Sequence, residues 1–144
     1  MKVLYIGPFR DGTGWAKAAC DTILALDAAG VDVVPRSIHY WQGRDTIPDR
    51  IVELEKKSDK DCDIVIQNCL PSMFVKYQGF RKSIGFYFVE VSDFVDSNWT
   101  RSINMMDEVW VPCSQNKDAS LMSGVTVPIR VTPCATDVTR FGKA

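Results

Sequence analysis

Residues 84–111, IGFYFVEVSDFVDSNWTRSINMMDEVWV, contain a strand, a loop, a short helix and a second strand, and their reading decides the fold. Ile84, Phe86, Phe88 and Val91 make a run rich in aromatic and branched side chains, which fits a buried parallel strand better than an exposed one. Glu90 stands at the carboxyl end of that run. In open α/β sheets ligands bind outside the carboxyl ends of the strands. The acid is therefore read as a ligand contact, with an ordinary loop carboxylate as the alternative. Trp99, Ile103 and Met106 share one face of a short helix predicted over 99–106, and Val109, Trp110 and Val111 re-enter the sheet.

Working outward, residues 2–7 read as a first strand and 15–29 as an amphipathic helix, with Ala19, Ile23 and Leu26 inward and Gly30 placed to end it. A second strand runs to Ile38, and Pro35 within it marks an irregularity or a sheet edge. A polar and aromatic loop covers 36–46. Pro48 opens a helix to about residue 57, with Ile51 and Leu54 facing inward. Residues 62–70, CDIVIQNCL, form a third strand stopped by Pro71, and 73–80 is a connection of undetermined type. The fourth strand is predicted over 81–92 and the fifth over 108–113. A helix with a serine cap covers 114–124, and a sixth strand 128–133. Strands alternating with helices predict an α/β fold, a Rossmann-like, doubly wound, mostly parallel sheet of about six strands with flanking helices.

A chain of 144 residues suits a single domain, long enough to bury roughly two thirds of its unfolded surface. The formal net charge of -1 supplies no electrostatic footprint for nucleic acid or an anionic membrane. The opening MKVLYIGPF is too short an apolar run for a signal peptide or a membrane span, so a cytoplasmic protein without an integral membrane segment is expected. Asn98-Trp99-Thr100 is read as a chance match to a glycosylation acceptor. Cys20, Cys62, Cys69, Cys113 and Cys134 form no C-x-x-C pair and have no neighbouring histidine for a zinc set, so no metal site is predicted. Most of them read as small buried apolar residues. Cys69, Cys113 and Cys134 fall near predicted strand ends. The single histidine, His39, reads as a loop-edge residue rather than a catalyst.

The glycine loop fits neither of two phosphate-binding motifs. Gly12-Thr13-Gly14-Trp15-Ala16-Lys17 lacks the third glycine of a dinucleotide fingerprint, and Thr13-Gly14 stands where a P-loop requires Lys followed by Ser or Thr. These failures disfavour a nucleotide-binding regulator. What remains is a flexible backbone at the amino end of a helix, suited to anionic or oxygen-rich groups. The alternative is a plain strand-to-helix turn.

The stretch GPFRDGTGWAKAACDTILALDAAGVDVV resembles the opening of retaining GT-B glycosyltransferases, which use nucleotide-sugar donors. The second half is more specific. IGFYFVEVSDFVDSNW followed by MDEVWVPCSQNKDASLMSGVTVPIRVTPCATDVTRF is similar to that family's aromatic-flanked glutamate, its tryptophan, an "EVWVPS" strand, a "SGV" helix end and a closing "P-x-G-V-D-x-x-x-F". Cys113 replaces the usual serine and Ala135 the usual glycine.

The resemblance implies one of two Rossmann-like domains that face each other across a cleft. It is the acceptor-binding N-terminal one, spanning 1–144, with the donor-binding domain absent and little activity alone. It implies that Gly12, Thr13 and Gly14 lie beside donor diphosphate and acceptor, with Arg10 approaching the phosphate. It also implies that Glu90 positions an acceptor hydroxyl while the departing phosphate takes the proton, with Asp93 and Asn98 adding sugar contacts. Trp99 and Trp110 read as packing residues.

No cofactor is expected beyond a nucleotide-sugar co-substrate. The expected partners are a sugar or other hydroxyl acceptor, a separately encoded donor domain and, through the uncovered cleft face, a second copy of the chain in a homo-oligomer. The competing class is a non-catalytic Rossmann-like module that binds a sugar or partner in the same crevice.

Overall fold

The computed structural model describes residues 1–41 and 46–142, the side chain of Arg140 excepted. The predicted loop over 36–46 lies outside the described residues at positions 42–45. Among the described residues the elements are β1 (Lys2–Gly7), α1 (Gly14–Ala28), β2 (Asp32–Ser37), α2 (Asp49–Glu55), β3 (Ile64–Asn68), β4 (Lys82–Phe86), α3 (Trp99–Ile103), β5 (Glu108–Val111), α4 (Ser114–Met122) and β6 (Ile129–Val131). The strands form one all-parallel sheet in the order β2-β1-β3-β4-β5-β6. The fold is α/β, Rossmann-like and doubly wound.

Alternation along the strands sorts the core into two layers. Val3, Tyr5, Val33, Ile64, Ile66, Ile84 and Phe86 pack with Ala19, Cys20 and Ile23 of α1 and Ile51 and Leu54 of α2. Tyr87, Val109 and Val111 pack instead with Ile103 of α3 and Ala119 of α4. All five residues of the central β3 are buried, as a strand covered on both faces requires. Pro35 lies in β2, at the sheet edge, where its missing N–H leaves no gap in a two-sided ladder.

Local chemistry sets the ends of α1. The Thr13 hydroxyl accepts from the Ala16 N–H at 3.2 Å. At the other end Gly30, with φ of +83°, lets its own N–H reach the Asp27 carbonyl and that of Val31 reach the Leu26 carbonyl, both at 3.0 Å.

Three elements depart from the sequence reading. The fourth strand is β4 alone, not 81–92, and Val91 is 55% exposed rather than buried. The chain leaves the ladder after Tyr87, whose N–H still reaches the Trp110 carbonyl at 3.2 Å, because α4 supplies the next backbone partners. The N-cap of α4 is Cys113, not a serine, and makes no side-chain cap bond. Finally, α3 ends at Ile103, and Met106 joins it only through a turn bond to the Ile103 carbonyl at 3.0 Å.

Gly85 illustrates how tightly the second layer closes. A Cβ built on it would lie 2.5 Å from Cε2 of Phe74, whose ring covers the strand. Gly85→Ala should therefore cost about 1–3 kcal/mol of stability, as overpacking does, read as a lower denaturant midpoint. Trimming the ring as well, in Gly85→Ala/Phe74→Leu, should recover part of the loss.

Glu108 links the other end of the sheet. Its side chain is 6% exposed and accepts from Lys82, from Trp110 Nε1 at 2.8 Å and from Arg130 Nε at 3.1 Å. Burial pushes this carboxyl up, but the hydrogen bonds from Lys82 and Trp110 outweigh it and hold it below the usual glutamate range. A folded-state value below the unfolded one gives stability that is fully present above the unfolded value, about 4.3, and is lost as pH falls through the folded value. The melting temperature should fall less steeply with acidification below that point in Glu108→Gln than in the wild type.

Candidate functional site at the carboxyl edge of the sheet

The strand order places a topological switch between β1 and β3: the chain winds one way from β1 to β2 and the other way from β3 onward. Ligand crevices form at such points, outside the carboxyl ends of the strands. The loops after β1, β2 and β4 all emerge on this edge.

The loop after β4 carries Glu90, and α4 holds it in place. Asn116 of α4, nine-tenths buried, brackets Val89: its Oδ1 accepts from the Val89 N–H at 3.0 Å and its Nδ2 donates to the Val89 carbonyl at 2.9 Å. One turn on, Ser120 Oγ meets the Tyr87 hydroxyl at 2.7 Å. A further turn on, Ser123 Oγ accepts from the Phe94 N–H at 2.8 Å. Positions 116, 120 and 123 share one helix face, so a single polar stripe fastens the loop at three points. Glu90 is left exposed, with no hydrogen bond or ion pair among the described residues. It lines a cleft of about 470 Å³ with Ser92, Gln115, Asn116, Asp118 and Met122.

Asp93 opens on a neighbouring cleft of about 390 Å³, lined also by Val91, Asp96, Ser97 and Trp99. Val91 borders both clefts, so the two carboxylates stand on either side of one exposed valine. Trp99 packs on Phe94 at 5.7 Å between ring centroids, and Trp110 on Phe86 at 6.0 Å.

The glycine loop forms a different cavity. Gly12, with φ of +68°, turns the chain, and Thr13 caps α1. Both line a cleft of about 440 Å³ with Phe9, Lys17, Asp21 and Ile47. Lys17 is paired with Asp21 one turn along α1. Gly14 begins α1, and an added Cβ there would meet no atom within 4 Å. The glycine-loop cleft and the Glu90 cleft share no lining residue among the described residues.

Arg10 is engaged by Glu55 of α2 through both Nε and a terminal nitrogen. Asn98 is the exposed N-cap of α3, without a side-chain cap bond, and lines neither acidic cleft.

Sequence reasoning missed Asn116 and Asp11. Asn116 lies in SQNKDASLMSG, whose Asn, Ser and Ser at 116, 120 and 123 look like a solvated face, yet they point inward while Leu121 and Met122 are 54% and 69% exposed. Asp11 is buried in the glycine loop, where its carboxylate receives the Tyr40 N–H at 2.7 Å and lies 3.1 Å from His39 Nδ1.

Cys20, Cys62 and Cys69 are buried, Cys113 is half-buried and Cys134 exposed. Burial pushes the Cys69 thiol up to about 12, far from nucleophilic at neutral pH. Among the described residues no group of three or more His, Cys, Asp or Glu is arranged to hold a metal ion, and no helix is long and apolar enough to cross a membrane.

Fold and edge geometry together define a Rossmann-like α/β protein with open clefts at the carboxyl ends of its strands. Comparison with protein-family models and with curated proteins gives no match.

Asn116→Ala would leave the N–H and carbonyl of buried Val89 without partners, at about 1–3 kcal/mol for each unsatisfied group. A lowered midpoint is expected, with amide exchange at Val89 accelerated well before global unfolding.

Proposed function

We propose that this domain is the acceptor-binding side of a glycosyltransferase that moves a sugar from a nucleotide-sugar donor to a hydroxyl acceptor. The observation that carries the reading is Glu90: an unpaired, exposed carboxylate on a backbone clamped by Asn116, at the carboxyl edge of a parallel sheet. An ionised carboxylate is acceptor-only and receives hydrogen bonds from two hydroxyls at once, which suits adjacent hydroxyls of a sugar.

In this reading Glu90 positions the acceptor and is not the base. Its contribution is orientation, since holding two reactants in a near-attack arrangement removes much of the entropic barrier. Gln115 and Asp118 on the same cleft add polar contacts to the sugar ring. The amino end of α1 and the glycine-loop cleft accept oxygen-rich groups from the donor side.

Titration calorimetry with monosaccharides and with nucleotide sugars tests this. The wild-type domain should bind hydroxylated acceptors. Glu90→Gln, with an unchanged circular dichroism spectrum, should weaken that binding by roughly 10-fold or more, as loss of a hydrogen bond to a charged group does. An unchanged sugar affinity would remove Glu90 from the site. Tight binding of the nucleotide by this domain alone would overturn the acceptor-side assignment.

A further inference from the structure

The geometry points to a second chemical site on the same edge: Asp11 and His39 form a preset proton-accepting dyad that receives a hydroxyl of a bound ligand or of water. Neither residue lines the Glu90 cleft, and the dyad does not rest on the transferase reading.

Asp11 lies in the loop after β1, and its side chain is 0% exposed, whereas the His39 side chain, in the chain leaving β2, is 52% exposed. One carboxylate oxygen receives the Tyr40 N–H at 2.7 Å and the other lies 3.1 Å from His39 Nδ1. A carboxylate oxygen accepts, so in the neutral form of the ring the proton sits on Nδ1 and the lone pair on Nε2. That nitrogen has no partner among the described residues.

The surroundings hold the ring's backbone still. The Tyr40 hydroxyl accepts from the Leu70 N–H at 2.6 Å, and the Tyr40 ring packs edge-on against Trp15 at 6.4 Å. His39 is thereby tied to the ends of β1 and β3 while about half of its side chain stays exposed. A purely structural tie between the two loops is already made by the Tyr40 N–H and has no use for a half-exposed imidazole. Trp41, 69% exposed, adds an aromatic face on the same loop.

The step balances on an ester: Nε2 takes the proton of water, the oxygen so freed adds to the ester carbonyl carbon, the bond from that carbon to the alkoxy or aryloxy oxygen breaks with its electron pair going to that oxygen, and the imidazolium returns its proton to the departing oxygen. Asp11 is a positioning residue: it fixes the tautomer and faces the positive ring.

Because the chain has a single histidine, one imidazole dominates the test. Nitrogen-15 spectra of the full chain should show the neutral ring protonated on Nδ1 and bare on Nε2. Asp11→Asn, whose amide can donate as well as accept, should shift the population towards Nε2–H. With 4-nitrophenyl acetate as the electrophile and Cys134→Ala present in every variant, His39→Gln should lower the protein-dependent hydrolysis, and Asp11→Asn should lower the His39-dependent part of it by roughly 10-fold or more. A wild-type ring protonated on Nε2, or hydrolysis unchanged in His39→Gln, would overturn the proposal. If Asp11→Asn fails to fold by circular dichroism, the wild-type tautomer and the His39→Gln rate decide between the same outcomes.

Discussion

The polar stripe of α4 is the constraint on which the functional edge depends. A helix lying on a sheet ordinarily turns an apolar face inward. Here Asn116, Ser120 and Ser123 face inward, and each is satisfied by the loop that follows β4 or by the Tyr87 hydroxyl. The Asn116 amide does for Val89 what a neighbouring strand would do, offering one acceptor and one donor. The strand ladder therefore stops early, and a loop that would otherwise be mobile is held at three points. Glu90, the residue next to the clamp, gains a fixed origin without losing its exposure.

The same logic of complete pairing governs the buried acids. Desolvating a carboxylate costs several kcal/mol unless its lone pairs are matched. Glu108 is matched by Lys82, Trp110 and Arg130, and so joins β4, β5 and β6. Asp11 is matched by one backbone N–H and one imidazole, and so joins the loops after β1 and β2. The difference lies in the partners. Glu108 is enclosed by groups whose pairing ends with it, whereas Asp11 passes its influence to a ring that opens on solvent. One is architecture and the other is an oriented functional group.

These fastenings distribute the polar groups of the carboxyl edge over separate clefts. The glycine loop serves the cavity beside α1, Glu90 the cavity beside α4, and Asp93 the shallow one beside α3. Arg10, in the loop after β1, is held by Glu55 of α2.

Much of the fold was legible from local physics. Alternation and branched side chains marked the six strands, Gly30 marked the end of α1, and of the two readings of Pro35, an irregularity or an edge, the sheet shows the edge. Those signals act within a few residues of the chain and survive in any context. The site was less legible because its bonds are long-range. Arg10 meets a glutamate 45 residues away, Val89 an asparagine 27 away, and Asp11 a histidine 28 away. Nothing in the local pattern distinguishes Asn116 from a solvated helix residue or Asp11 from a loop acid. The sequence alone determined the α/β class, the order of the elements and the presence of an acid after β4. Only tertiary structure decided which polar groups are used up in pairing and which are left facing solvent, because that depends on the closure of the sheet and the docking of α4 and α2.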